Sequence, residues 1–243
     1  MTLPLINLFV NPYEVWTYRL ISIEEIESGM FTGGPADLHI KDKLVATITT
    51  PVEAARYIAS VGADNGLGNF INSTLDATLE RSVWRKNMPS RTPKEFSDYQ
   101  QKYPHCDFDA VNTKVNEYGQ SLPIGQILFH GGVWPDCNYF ITIRPLSTTF
   151  CPQVALRNAE HKGKAYDAKR LDLFVLKVCS NNVKAFVYKR HGTNLGHENE
   201  VLIAGGVRLN LRSRQLIRND YTLGRYGMPT IPCPIYVLEV DLF

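Results

Sequence analysis

The hydrophobic pattern changes character at Pro123, and that change limits the folds open to this chain. Before it, apolar residues recur at helical spacing. PVEAARYIASVGA sets Val52, Ala55, Ile58 and Ala59 on one face, with Pro51 where a helix starts. NFINSTLDATLERSVW predicts one helical stripe through Phe70, Ile71, Leu75, Leu79 and Val83. TPKEFSDYQQKY opens with Thr92 as N-cap, Pro93 in the first turn and Glu95 as the reciprocal cap. DAVNTKVNEYGQSL reads as a short helix ended by Gly119. Past Pro123, the stretches IGQILFHGG, YFITIRPLSTTF, LDLFVLKVC, VKAFVYKR, EVLIAGGVRLNLRS and YVLEVDLF are rich in β-branched and aromatic residues, and several alternate. CPQVALRNAEHKGKAYDAKR interrupts them, and its first part reads as a helix. Helices first, then a strand-rich half with one inserted helix, predict an α+β fold. No linker separates the halves. Residues 1–243 are therefore expected to form a single domain, a mainly helical part over 1–120 packed on a sheet built from 121–243.

Composition narrows the function classes. Of 243 residues, 44% are hydrophobic and 21% charged, the balance of a globular protein with a core to bury. A formal net charge of +2 makes no case for nucleic acid binding. No apolar run reaches the length of a membrane span. The N-terminal stretch has no basic side chain before Arg19 and is interrupted by Asn7, Asn11 and Pro12, so no signal peptide is expected. The five cysteines form no CxxC pair, which points to neither a disulfide framework nor zinc. The expected location is the cytoplasm, of the producing cell or of a target cell into which the protein is delivered, with no membrane partner.

Several enzyme signatures are absent: the P-loop, the GxSxG elbow and HExxH. GADNGLG at 62–68 lacks the spacing of a dinucleotide fingerprint. His39, His105, His130, His161, His191 and His197 are scattered, and no metal site is expected. Three strand-associated pieces remain. ILFHGG ends in His130, Gly131 and Gly132, where missing side chains let the backbone approach a ligand. RPLSTTF runs Ser147, Thr148 and Thr149 into Phe150. GHENEVLI sets Glu198 and Glu200 at the head of an apolar strand. Taken singly, each piece is an ordinary turn, strand or acidic edge. In a strand, side chains i and i+2 share a face about 7 Å apart. Two carboxylates at that distance repel by roughly 2.4 kcal/mol at an effective dielectric near 20. Such repulsion raises one pKa by about one to two units, which suits a group that must accept a proton.

Taken in order, the pieces resemble the mono-ADP-ribosyltransferases with an Arg, Ser-Thr-Ser, Glu-x-Glu layout. The resemblance covers about 122–243, and upstream it extends loosely over INSTLDATL and AVNTKVNEYGQSLP. It implies helices packed on a split mixed or antiparallel β-sheet core. It also implies NAD+ as co-substrate, transfer of ADP-ribose to a macromolecular acceptor and release of nicotinamide. By the same resemblance Glu200 stabilises the cationic ribose, Glu198 positions or deprotonates the nucleophile, and Ser147 orients Glu200. Thr148 and Thr149 belong to the cofactor-binding strand. Gly131, with Gly132 beside it, offers backbone groups to the nicotinamide carboxamide, and Phe150, or an aromatic of the preceding strand, stacks on the ring. The loop 189–197 lies beside the nucleophile. His130 departs from the layout. It stands where the arginine class has a permanent charge and where the diphtheria-toxin-like branch has a histidine. Arg144 or Arg157 is then the candidate for the missing charge at the phosphates. The Glu-x-Glu form favours a protein arginine as acceptor. The alternatives are an RNA or DNA base, served by the basic RLNLRSRQLIRND segment, hydrolysis of NAD+, and a scaffold without catalysis. A toxin or effector of this type implies an inhibitory antitoxin or immunity partner.

Overall fold

The structure is a computed structural model that describes residues 2–28, 38–189 and 195–243. It divides into two compact units, Met1–Leu8 with Pro51–Phe243, and Phe9–Thr50. The smaller unit is an antiparallel ribbon of β1 (Tyr13–Leu20) and β2 (His39–Ile48), with the short helix α1 (Ile23–Glu27) in the connection. These strands depart from the mainly helical reading of the first 120 residues. Their β-branched and aromatic residues favour a pleated surface, but charged residues break the alternation that would have announced it.

In the larger unit the helices are α2 (Pro51–Val61), α3 (Asn65–Ala77), α4 (Leu79–Lys86), α5 (Lys94–Lys102) and α6 (Phe108–Tyr118). Helix α2 starts at Pro51 and buries Ala54, Ala55, Ile58 and Ala59, the apolar face its sequence predicts. Asp64 caps α3 by accepting the Gly66 N–H at 2.8 Å. The single stripe expected from Phe70 to Val83 is broken, because Thr78 adopts an extended conformation between α3 and α4. That break rotates the second half. Leu79 is 79% exposed and Val83 41%, while Trp84 and Arg81 turn inward. The capping box expected at Thr92 does not form: α5 begins at Lys94, with Pro93 in the cap position and no side-chain cap. Gly119 does end α6.

Past Pro123 the strands are β4 (Ile127–Gly132), β5 (Tyr139–Ile141), β6 (Leu146–Thr149), β7 (Leu171–Val178), β8 (Lys184–Val187), β9 (Glu200–Ile203), β10 (Arg208–Arg225) and β11 (Met228–Leu242). Just upstream lies the two-residue β3 (Gln120–Ser121), and between β6 and β7 lie helices α7 (Pro152–Glu160) and α8 (Lys164–Ala168). One nine-stranded sheet runs β3-β8-β9-β6-β4-β7-β11-β10-β5. Among the described strands only β7 and β11 pair in parallel, apart from an isolated parallel bridge between Thr2 and Ser121, so the chain is α+β with a mixed, largely antiparallel sheet. The sheet is nearly split in the middle. Strand β4 pairs with β7 from Ile127 to Gly132 but with β6 only through Phe129 and Thr149. His130 lies on one side of that seam and Ser147 on the other. Helix α7 packs on the opposite face of β4. A Cβ added to Gly131 would come within 1.8 Å of the Ala155 carbonyl oxygen, so this glycine is required by the helix-on-strand contact. Among the described residues, no helix is long and apolar enough to cross a membrane.

Candidate active site

The site forms where β4, β6 and β9 meet α5. Strands β6 and β9 are antiparallel, with Thr149 opposite Glu200 and Ser147 opposite Leu202. Ser147 and Glu200 are therefore diagonal neighbours on one face, a separation that side chains can bridge. The Ser147 hydroxyl donates to Glu200 Oε1 at 2.6 Å. The second oxygen, Oε2, accepts from Gln100 Nε2 of α5, also at 2.6 Å. Glu200 is 5% exposed. Burial raises its pKa to about 7, the Ser147 and Gln100 hydrogen bonds hold it down, and the Glu198 charge adds a smaller push upward. Burial, not repulsion within the pair, is thus the main cause of the shift.

His130 faces the same seam. Its Nδ1–H donates to the Ser147 carbonyl at 2.7 Å. A carbonyl only accepts, so the proton is on Nδ1 and Nε2 is left as an acceptor. Among the described residues Nε2 has no hydrogen-bond partner, and Gly132 leaves it room, since a Cβ there would lie 3.2 Å away. The imidazole N–H satisfies a backbone carbonyl that a neighbouring strand would otherwise take. The His130 pKa is lowered to about 4, chiefly by burial and in smaller part by the Lys164 and Arg144 charges, against the Ser147 bond. Neutral His130 also packs on Phe174, ring centroids 5.3 Å apart.

The two glutamates do not share a strand face. Gly196–Glu198 is a 3-10 turn, Asn199 is left-handed at φ 49° and ψ 41°, and β9 begins only at Glu200. The left-handed residue separates the turn from the strand, so the i, i+2 geometry expected of a strand is absent. Thr149 holds the turn: its Oγ1 donates to the Glu198 carbonyl at 2.6 Å and accepts the Cys151 N–H at 3.1 Å. The Glu198 carboxylate makes no hydrogen bond or ion pair among the described residues. It lines a cleft of about 200 Å³ with Asn65, Asn69 and Asn72 of α3 and Arg157 and Asn158 of α7. Burial raises its pKa. Residues 190–194 of the loop expected beside the nucleophile, with His191, lie outside the described residues.

Other sequence candidates fall elsewhere. Thr148 is buried and donates to the Val201 carbonyl at 2.6 Å. Phe150 is 0% exposed, packed on Trp84 at 5.4 Å and covered by Arg81. Neither offers a surface to a ligand, because both side chains are buried. Gly131 abuts α7 as described. Arg144 lies near the seam: its guanidinium covers the Tyr103 and Phe108 rings at 5.4 and 5.3 Å. Lys164, which the sequence did not single out, covers Tyr103 from 5.0 Å. Neither cation makes an ion pair among the described residues. Gln100 was also missed. Its signal was faint: it sits on the α5 stripe with Phe96, Tyr99 and Tyr103, where a polar side chain must find a buried partner.

The basic segment behaves as one wall of a solvated hairpin. Arg212 pairs with Asp241 at 3.3 Å, Arg218 with Asp220 at 2.8 Å, and Arg208 covers Tyr139 at 4.3 Å.

No protein-family model matches the sequence, and no curated protein matches it. Among solved structures the chain is similar to the enzymatic component C2-I of the C2 toxin from Clostridium botulinum, with a TM-score of 0.40 and 8% identity over 67% of this chain and 46% of that one. This chain thus spans less than half the length of C2-I. It is also similar to the Vis toxin, an ADP-ribosyltransferase from Vibrio splendidus, with a TM-score of 0.33 and 14% identity over 79% of this chain and 72% of that one. A third similar structure is Plx2a, an ADP-ribosyltransferase toxin from Paenibacillus larvae, with a TM-score of 0.36 and 8% identity over 67% of this chain and 90% of that one.

Proposed function

We propose that this protein is an NAD+-dependent mono-ADP-ribosyltransferase. The observation that carries the reading is Ser147, which holds Glu200 with its hydroxyl and His130 with its carbonyl. One residue thus joins the three sequence pieces that resemble the family layout.

The residues left open suit the parts of NAD+. The unpartnered Nε2 of His130 accepts a hydrogen bond from a ribose hydroxyl. Arg144 and Lys164, both over the Tyr103 ring and without an ion pair among the described residues, face the negative diphosphate that a neutral histidine cannot hold. In this reading NAD+ supplies the bond between nicotinamide and ribose. That bond breaks with its electron pair leaving on nicotinamide. Glu200, ionised, stabilises the positive charge that builds on the ribose carbon. A carboxylate fixed in advance by two donors acts mainly on the transition state, where stabilisation accelerates the reaction. The acceptor then bonds to that carbon, and Glu198 takes the acceptor's proton. Burial of Glu198 raises its proton affinity, which suits a base. Thr149 keeps the Glu198 turn in place. Thr148 and Phe150 serve the core rather than the ligand.

A protein arginine remains the favoured acceptor, on the Glu-x-Glu form. The nucleic acid alternative is weakened because Arg212 and Arg218 of β10 are already paired. The setting we infer is a toxin or effector acting in a cytoplasm and restrained by an inhibitory partner in the producing cell. Labelled NAD+ incubated with the protein and a cell lysate tests the class. Label on macromolecules that is lost to protease means a protein acceptor, and label lost to nuclease means nucleic acid. Free ADP-ribose alone means hydrolysis, and unconsumed NAD+ overturns the proposal in favour of a non-catalytic scaffold.

A further inference from the structure

We propose that Gln100 of α5 is a positioning residue for Glu200: with Ser147 it clamps the carboxylate from both sides and keeps it in the ionised form that the reaction uses. The inference rests on the reading of Glu200 as the catalytic carboxylate.

The geometry is complete on both oxygens. Oε1 takes the Ser147 hydroxyl and Oε2 takes the Gln100 amide, each at 2.6 Å. For the Ser147 hydroxyl this is the length of a strong hydrogen bond to a charged acceptor. The two donors come from opposite directions, one from the sheet and one from the helix covering it. Together they leave the side chain little rotamer freedom. Gln100 is well suited to this. It is neutral, so it adds no counter-charge to compete with the cationic ribose, and its amide can donate without titrating. Each carboxylate oxygen has more than one lone pair, so Oε2 can accept Gln100 and a ribose hydroxyl together.

The other groups around Glu200 do not supply this support. From α5, Tyr99 is buried and donates to the Pro145 carbonyl at 3.4 Å. Tyr188, which follows β8, donates to the Phe96 carbonyl at 3.1 Å. Both phenols are pushed upward by burial and then by the Glu200 charge. Glu198, on the turn before β9, opposes ionisation of Glu200. Cys106 lies near the two tyrosines and its thiol is raised by burial. Arg144 acts on Tyr99 and His130. Tyr188 donates its backbone N–H to the Glu200 carbonyl at 3.2 Å, and none of these groups donates to the Glu200 carboxylate. Without Gln100, burial is opposed by Ser147 alone, the carboxylate binds its proton more tightly, and the ionised fraction at neutral pH falls.

The test uses Gln100→Met, which keeps length and removes the donor, and Gln100→Lys, which replaces it with a charge. The readout is the pH dependence of kcat/KM for NAD+ cleavage by the full chain. The acid limb should move up by about one unit in Gln100→Met and down in Gln100→Lys, with activity of Gln100→Met recovering at high pH. A rate that falls equally at every pH, with the limb unmoved, would reduce Gln100 to a packing residue and overturn the inference. Should Gln100→Met fail to fold, Gln100→Lys carries the same test with the opposite sign. If the chain cleaves no NAD+ at all, the proposed function fails separately. The Gln100 assignment is then read by infrared titration of the carboxyl band that Glu200→Gln abolishes. Its midpoint rises in Gln100→Met, or the assignment is wrong.

Discussion

The hydroxyl of Ser147 and the carboxylate of Glu200 are hydrogen-bonded at 2.6 Å across the antiparallel strands β6 and β9. This bond opposes the effect of burial on Glu200. Ser147→Ala removes it, so the Glu200 pKa rises further above about 7. NAD+ cleavage should then fall by roughly tenfold or more at pH 7 and recover in part above pH 9. A pH–rate profile checks this. A loss independent of pH would mean that Ser147 does not act through Glu200.

Glu200 should also cost stability. Its folded pKa of about 7 lies above the ordinary value of 4.5. The folded state therefore binds the proton more tightly than the unfolded state between those values. The relative stabilisation is full below pH 4.5 and is lost as pH rises through 7. The shift corresponds to about 3 kcal/mol. Glu200→Gln should accordingly melt higher than wild type at pH 8, with the gap closing below pH 4.5. Denaturant unfolding at the two pH values measures it.

His130 should remain neutral across physiological pH. Its folded pKa of about 4 lies below the ordinary 6.5. In this case the unfolded state binds the proton more readily, so stability is full above pH 6.5 and falls as pH drops toward 4. Nitrogen-15 NMR of the ring should show Nδ1 protonated, Nε2 bare, and no titration between pH 8 and pH 5. A midpoint near 6.5 would contradict the buried geometry.

Much of the strand-rich half was legible in sequence, and the reason is physical. Apolar runs such as LDLFVLKVC have one outcome when both faces are buried, and β7 follows its run. Of the three motif pieces, the structure brings His130, Ser147 and Glu200 together. What failed was local geometry. Nothing in GHENEV marks Asn199 as left-handed, yet that one residue takes Glu198 off the strand, and burial, not repulsion, is the main influence on Glu200. Phe150 looked like a ring free to stack, but its burial depends on Trp84, far upstream. Gln100 and Lys164 join the site only through tertiary contacts with Glu200 and Tyr103. A single sequence carries no periodic signal for such pairings.

The central claim is that a buried carboxylate at position 200 drives cleavage of NAD+. Nicotinamide release from NAD+ at pH 8, compared between wild type and a folded Glu200→Gln, tests it most directly. The account predicts steady release by wild type and a rate at least about a hundredfold lower in the variant. Equal rates in the two proteins would contradict it.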